Sequence, residues 1–285
     1  MKVLVTGSSG RIGSVIASHI AKTHDVIGLD IVTGPQTTRL GSINDWQLVD
    51  VLTSMVDAVV HTAALHAPHV GARPDAAFHE TNVGGTQYLI DAARKHGVGR
   101  FVFTSTTSVY GAAMVAADRA VWVTEELSPI ARDIYDETKL AAEQVCRIAA
   151  FAGLPCISLR MSRCFPEPDE RTAVYRLYRG VDARDVAEAH LRALESDIGG
   201  FETFNISAAP VFHRNECEQL FASADRVIAR HFAWSTEAFA RRGWSLPKRI
   251  DRVYVINKAE RMLDYRPQFN FESLFDPGET HPLAT

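Results

Sequence analysis

Two rhythms of apolar residues alternate over the first 160 positions. Short runs rich in β-branched and aromatic residues, at Val3–Val5, His24–Asp30, Asp57–His61, Arg100–Ser105 and Pro155–Arg160, show no polar face. Between them lie longer stretches with helical spacing. Ile12–Lys22 puts Ile12, Val15, Ile16 and Ile20 on one side; others lie around Asp45–Leu52, from Asp75 to His96 with Gly97 as the stop, and over Ile134–Phe151. Strands apolar on both sides that alternate with such helices predict a parallel sheet covered on both faces. Right-handed crossovers then make it a doubly wound α/β sheet.

The rhythm changes in the last third. Pro166-Glu167-Pro168 breaks it, a helix starts near Asp182, Phe201–Ser207 reads as a late strand, and His213–Arg230 and Asn257–Leu263 read as helices. The last ten or so residues, with Pro277, Gly278 and Pro282, read as a loose tail. The expected organisation is a nucleotide-binding domain over 1–160. A small C-terminal α/β substrate lobe over 161–285 is partly interleaved with it.

Composition narrows the class. The 285 residues are 46% hydrophobic and 22% charged, with 30 basic against 34 acidic side chains and a formal charge of −4. These are globular averages, and they exclude disordered, collagen-like and disulfide-scaffold chains. Near-neutral charge gives no electrostatic reason for a nucleic-acid partner; the basic stretch at 241–252 is expected to be a solvated face. Cys146, Cys156, Cys164 and Cys217 form no C-x-x-C pair and read as thiols of a reducing compartment. Only Val3, Leu4 and Val5 precede the first turn, too few for a signal peptide, and no run approaches the ~18–20 apolar residues of a membrane span. A cytoplasmic protein with no membrane partner is expected.

Two constellations carry chemistry. The first strand runs into Gly7-Ser-Ser-Gly10-Arg11-Ile12-Gly13, which opens a helix. One glycine makes a tight turn, one admits a pyrophosphate close to the backbone, and one lets helix and strand pack closely. The helix then offers free N–H groups and the positive end of its dipole to the phosphates. A glycine-rich turn alone is a weak signal, but here a second strand follows and ends in Asp30, seventeen positions after Gly13. A carboxylate there accepts hydrogen bonds from a ribose diol and repels a 2′-phosphate, which favours NAD over NADP. The second constellation is Tyr135-x-x-x-Lys139 at the start of a long helix, where i and i+4 share a face. A nearby ammonium favours phenolate and brings a phenol of pKa ~10 toward a working range. The Thr/Ser cluster after the Arg100–Ser105 strand can hold a substrate hydroxyl. His61, His66 and His69 lie close in sequence, but no carboxylate partner or helical spacing supports a metal site. Tyr110 reads as packing, and the Trp234/Trp244 region as core of the small lobe.

Taken together, TGSSGRIG (Thr6–Gly13), HTAAL (His61–Leu65), NVGGT (Asn82–Thr86), FTSTTSVYG (Phe103–Gly111) and YDETK (Tyr135–Lys139) resemble the extended short-chain dehydrogenase/reductases, the NAD-dependent epimerase/dehydratase family. The resemblance covers residues 1–160 and, more loosely, 181–192 and Asn257–Pro267. It implies a Rossmann sheet and NAD as cofactor. It makes Tyr135 the general acid/base, has Lys139 hold the nicotinamide ribose and lower the phenol's pKa, and gives Thr106 to the substrate with Thr104 and Ser105 nearer the cofactor. Asn82 would contact the cofactor, and Ala63, Ala64 and Leu65 would line its path. Ser42-Ile43 stands where the family usually has an acidic residue for the adenine amine. Family members commonly dimerise through the two long helices. Ala92, Ala93, Ala141, Ala142, Ala149 and Ala150, read as surface residues there, give the expectation of an isologous homodimer.

Departures from the family pattern bear on substrate. Nucleotide-sugar members usually carry Asn and Tyr-Gly-Pro after the sixth strand, then a long segment that grips the nucleotide. Here Met161-Ser162-Arg163-Cys164-Phe165 runs into Pro166-Glu167-Pro168, and only about a dozen residues separate it from Asp182. That run resembles uronate dehydrogenases, in which an Arg after the turn holds the substrate carboxylate. Arg171 and Arg176 are the candidates, with Ser162 and Arg163 also on the substrate side. The expected activity is hydride transfer at a secondary hydroxyl of a small sugar or sugar acid. A nucleotide-sugar epimerase or dehydratase, and an NAD-binding sensor without turnover, remain open.

Overall fold

The computed structural model describes residues 1–275; the expected tail at Pro277, Gly278 and Pro282 lies outside the described residues. In chain order, β1 (Lys2–Thr6), α1 (Arg11–Ile20), β2 (Asp25–Asp30) and the two-residue β3 (Arg39–Leu40) form the first half-sheet. Next come α2 (Trp46–Thr53), β4 (Ala58–His61), α3 (Asp75–Phe78), α4 (Gly85–Lys95) and β5 (Arg100–Thr106). After β6 (Val121–Val123) follow α5 (Ile134–Phe151), β7 (Cys156–Met161), α6 (Asp169–Arg176), α7 (Ala183–Glu195) and β8 (Phe201–Ile206). The chain continues through α8 (Cys217–His231), α9 (Ser235–Arg241), β9 (Arg252–Tyr254) and α10 (Asn257–Met262).

Seven strands pair in the order β3-β2-β1-β4-β5-β7-β8, every neighbouring pair parallel. Because successive side chains on a strand point to opposite faces, Val3 and Val5 join one core with Ile16, Ile20, Val186 and Ala189. Leu4 joins the other, with Leu52, Leu89, Phe101 and Cys146. Both faces are therefore covered, as the sequence predicts. Helix starts follow local chemistry: Asp45, Asp133 and Asp182 accept from the backbone N–H groups of Leu48, Asp136 and Arg184 at 3.1, 3.0 and 3.0 Å. All four cysteines are free, three buried and Cys164 half-buried. No helix among the described residues is long and apolar enough to cross a membrane.

The region after residue 160 contributes to both lobes: β8 extends the main sheet and α7 packs on α1, while a separate apolar cluster gathers Leu177, Phe212, Leu220, Val227, Phe239 and Phe271. Trp234 stacks on Phe271 at 5.4 Å and Trp244 packs on Phe239, as expected of lobe core. Short elements escaped the sequence reading, among them α6, α9 and the parallel pair β6–β9. The Asp75–His96 helix contains a wide π turn over His79–Gly84. The expected His213–Arg230 helix kinks at Ser223, where the crossing segment 248–250 exchanges backbone bonds with Leu220 and Ala224.

Two expectations fail on burial. Ala92, Ala93, Ala142 and Ala149 are buried in this chain's own core, so they cannot supply a surface for a second copy. Position 252 is no solvated face either: the Arg252 side chain is 12% exposed and lines the central cavity.

Candidate active site

One cavity of about 1000 Å³ runs along the carboxyl ends of the central strands. Gly7 has φ +74°, and a Cβ there would meet Thr62 Oγ1 at 2.6 Å. A Cβ on Gly13 would lie 2.0 Å from the Gly7 carbonyl oxygen. Only glycines close this turn, and it leaves the start of α1 facing the cavity. Asp30, on the same wall, accepts from Ser9 N at 2.8 Å through one oxygen and from Val32 N at 3.1 Å through the other. Each oxygen keeps a lone pair for a further donor. Gly10, Arg11, Ile12, Ser42, Ile43, Ala63, Ala64 and Leu65 line the cavity with them. A glycine cradle and a strand-end carboxylate on one wall fit a dinucleotide.

Asn82 is elsewhere. Its amide is buried, accepting from Leu65 N (2.8 Å) and donating to Leu65 O (2.9 Å) and Thr138 Oγ1 (3.0 Å). It clamps the lining loop to α5 instead of lining the cavity itself.

The second wall is built from β5 and α5. Thr104, Ser105, Thr106, Tyr135 and Lys139 all line the cavity, so the structure brings the two motifs together across 30 residues of sequence. Lys139 Nζ donates to Thr104 O at 2.8 Å and lies 3.9 Å from the centre of the Phe103 ring. Burial pushes Lys139 down to about 7, with Glu143 pulling the other way. Burial pushes the Tyr135 phenol up, opposed by a hydrogen bond with Thr106. Lys139 is not among the groups that act on the phenol here: its Nζ donates to the Thr104 carbonyl, while Tyr135 is half-buried on the cavity wall.

Behind this wall two histidines are neutral. His190 Nδ1 donates to Val186 O at 2.8 Å, which leaves Nε2 to accept from Thr104 Oγ1 at 2.7 Å. His61 bridges Thr6 Oγ1 (2.7 Å) and Thr86 Oγ1 (3.0 Å). Burial holds His190 down to about 4 and His61 to about 3. A group with a folded-state pKa below its unfolded value of ~6.5 binds a proton first in the unfolded chain. Stability should therefore fall as pH drops from about 6.5 toward 4. Chemical unfolding across that range is expected to show the slope, and His190→Gln to flatten it; an unchanged slope in the variant would count against the assignment. Among the described residues no group of His, Cys, Asp or Glu could hold a metal ion.

The lobe end departs most from expectation. Ser162 and Arg163 do line the cavity, Ser162 donating to Ser207 Oγ at 3.1 Å and Arg163 pairing with Glu167. Arg171 instead pairs with Glu167 from the solvent side, and the buried Arg176 bonds Phe269 O and Asp182. Neither lines the cavity. The residues that do, and that sequence reasoning missed, include Met114, Arg132, Arg179, Arg252 and Tyr254. They come from turns and from β9, which is too short to leave a periodic signal.

Residues 3–179 match the model of a family described as the NAD dependent epimerase/dehydratase family. A Bacillus subtilis protein named as an uncharacterized UDP-glucose epimerase, YtcB, is 32% identical over 203 residues, 63% of this chain and 62% of that protein. UDP-glucose 4-epimerase of Erwinia amylovora is 26% identical across 89% of this chain and 95% of its own. The matches span 62%, 42% and 39% of the lengths of three curated relatives. Among solved structures, MoeE5 in complex with UDP-glucuronic acid and NAD superposes with a TM-score of 0.70 at 23% identity, covering 96% of both chains.

Proposed function

The chain belongs to the NAD-dependent epimerase/dehydratase family, and from that premise we propose that it is an oxidoreductase acting on a secondary hydroxyl of a small sugar or sugar acid. The observation that carries the reading is a single cavity joining the glycine turn and Asp30 to Thr106, Tyr135 and Lys139. NAD, when bound, supplies the acceptor for the hydride that leaves the carbinol carbon. Gly7, Gly10 and Gly13 would admit its pyrophosphate, Asp30 would hold the adenosine ribose, and Lys139 would hold the nicotinamide ribose. Thr106 orients the substrate hydroxyl and Tyr135 takes its proton. A phenol held protonated by burial is ready to act as an acid in the reducing direction; in the oxidising direction it must first lose its proton, so oxidation should accelerate as pH rises.

The names of relatives favour a second reading, a nucleotide-sugar 4-epimerase, in which the keto product is reduced again from its other face. Incubation with NAD and a panel of free sugars, sugar acids and UDP-sugars separates the two. NADH accumulating with a free sugar or sugar acid supports the first. Interconversion of UDP-sugars without net NADH supports the second, and NAD binding with no turnover supports a sensor.

Cofactor preference gives a further expectation. NAD should bind more tightly than NADP, and Asp30→Ala should narrow the gap; equal affinities in the unaltered protein would remove the role given to Asp30. A homodimer through α4 and α5 would draw on the exposed Tyr88, Ile148 and Phe151 in place of the buried alanines. Sedimentation at micromolar concentration should give a dimer, and a monomer there would contradict it.

A further inference from the structure

Two walls of the cavity touch each other on its solvent side. Arg11 opens α1 directly after the glycine turn, and its guanidinium lies 4.9 Å from the centre of the Phe165 ring. Phe165 belongs to the other wall, four residues beyond the end of β7. In the sheet, β4 and β5 stand between β1 and β7. A contact from the end of β1 to the end of β7 therefore crosses three strand spacings, about 14 Å. Arg11 and Phe165 both line the cavity, as do Thr104 and Thr106 at the end of the crossed strand β5. Arg11 is exposed, and Phe165 is 39% exposed.

The lobe side of the contact is fixed. The Arg163 guanidinium lies 5.0 Å from the centre of the same ring. Its Nε donates to Glu167 Oε1 at 2.7 Å, and Arg171 Nη1 donates to Oε2 of that carboxylate at 3.2 Å. Arg163 N also donates to Arg179 O, and Val181 N to Arg163 O, both at 3.0 Å. Glu167 offsets the charge of Arg163, which lets two guanidinium groups share one ring. A half-exposed ring gains only part of its burial energy, and cations against it supply a further attraction. Arg11 reaches the ring from a different element on a long, flexible stem, so this is the side that can open.

We propose that Arg11 and Phe165, backed by Arg163, form a clasp across the open side of the cavity that gates entry and exit of the dinucleotide. The proposal rests on the reading of this cavity as the NAD site. A dinucleotide with its adenosine ribose at Asp30 and its nicotinamide ribose at Lys139 would lie along the strand ends that the clasp crosses. Opening of such closures and release of product set the turnover of many enzymes. The lifetime of the closed clasp decides whether NADH leaves after the oxidation or stays to return its hydride. That is the step on which the two readings of the function part.

Stopped-flow mixing of the full chain with NADH gives the entry rate from NADH fluorescence, and displacement of bound NADH by excess NAD gives the exit rate. Phe165→Ala should raise both rates about tenfold. A gate opens for passage in either direction, so Kd should change less than either rate. Phe165→Leu keeps apolar bulk without the ring; it should act in the same direction, and it serves if the Ala variant misfolds. Phe165→Tyr should keep the parent's rates. Arg11→Gln should also speed passage, and combined with Phe165→Leu it should be no faster than the faster single variant, because the two residues act through one contact. Unchanged rates in Phe165→Ala and Phe165→Leu, or single effects that multiply in the double variant, overturn the clasp. Exit that quickens alone, with Kd weakening in proportion, identifies a plain cofactor contact and overturns the gate. Absence of NADH binding to the parent removes the reading of the cavity and the clasp with it; binding whose rates ignore both residues removes the clasp alone.

Discussion

Tyr135→Phe should lower turnover by ~10²–10⁴ while NAD still binds, because the change removes one proton and one oxygen and keeps the ring. Tyr135 follows the cap residue Asp133 by two positions, so the first turn of α5 does not depend on its hydroxyl. The variant therefore separates chemistry from folding. Burial holds the phenol up, so the unaltered protein should oxidise faster as pH rises, and the Phe variant should lose that dependence along with the rate. Near-full activity in the variant, or an unchanged pH profile, would show that another group moves the proton. Thr106→Ala should then cost less than Tyr135→Phe, since a hydroxyl that orients substrate is partly replaced by water.

The largest stability effect is expected one helical turn beyond Lys139. Glu143 on α5 receives Arg160 of β7 through two bonds, Nε to Oε1 at 2.9 Å and Nη2 to Oε2 at 2.6 Å, and Ser158 Oγ donates to the same carboxylate at 3.0 Å. Both side chains are nearly inaccessible, 5% and 7% exposed. Arg160 holds the Glu143 carboxyl below its usual range despite its burial, and the carboxylate in turn holds Arg160 up. Removing one partner leaves the other charge buried without compensation, so Glu143→Ala or Arg160→Ala should destabilise the fold by about 3–5 kcal/mol. Replacing both by apolar residues of similar size should cost much less. Denaturant unfolding of the two single variants and the double variant checks this. Single variants within about 0.5 kcal/mol of the parent would mean that the pair is solvated or relaxed in solution.

The same pair explains why parts of the site were hard to read. Arg160 and Glu143 look in sequence like an isolated arginine after a strand and one of several acids on a helix. Nothing in their spacing brings them together; only the pairing of β5 with β7 and the packing of α5 across them does. The placement of Gly7, Gly13 and Asp30 on one cavity wall was legible because it is local, set by the turn between a strand and the helix or strand beside it. Tyr135 and Lys139 were legible for the same reason, four residues apart on one helix. The lobe arginines were not. Arg171 and Arg176 sit where the run after Pro168 suggested, but α6, unrecognised in the sequence, turns Arg171 to solvent and buries Arg176 against Asp182 and Phe269. Arg179 and Arg252 reach the cavity from a turn and a three-residue strand some seventy positions apart.

The sequence by itself determined the doubly wound sheet, the alternation of its longer strands and helices over the first 160 residues, the glycine turn, the acidic end of β2 and the Tyr135–Lys139 helix face. These rest on periodicity and on contacts within a few residues, which the chain encodes locally. The tertiary structure alone decided that the helix alanines are core, that Asn82 is a clamp, that Lys139 is tied to the Thr104 carbonyl, and which arginines face the cavity. Each of those depends on which distant segment removes water from a side chain, and burial is a property of packing that no local pattern carries.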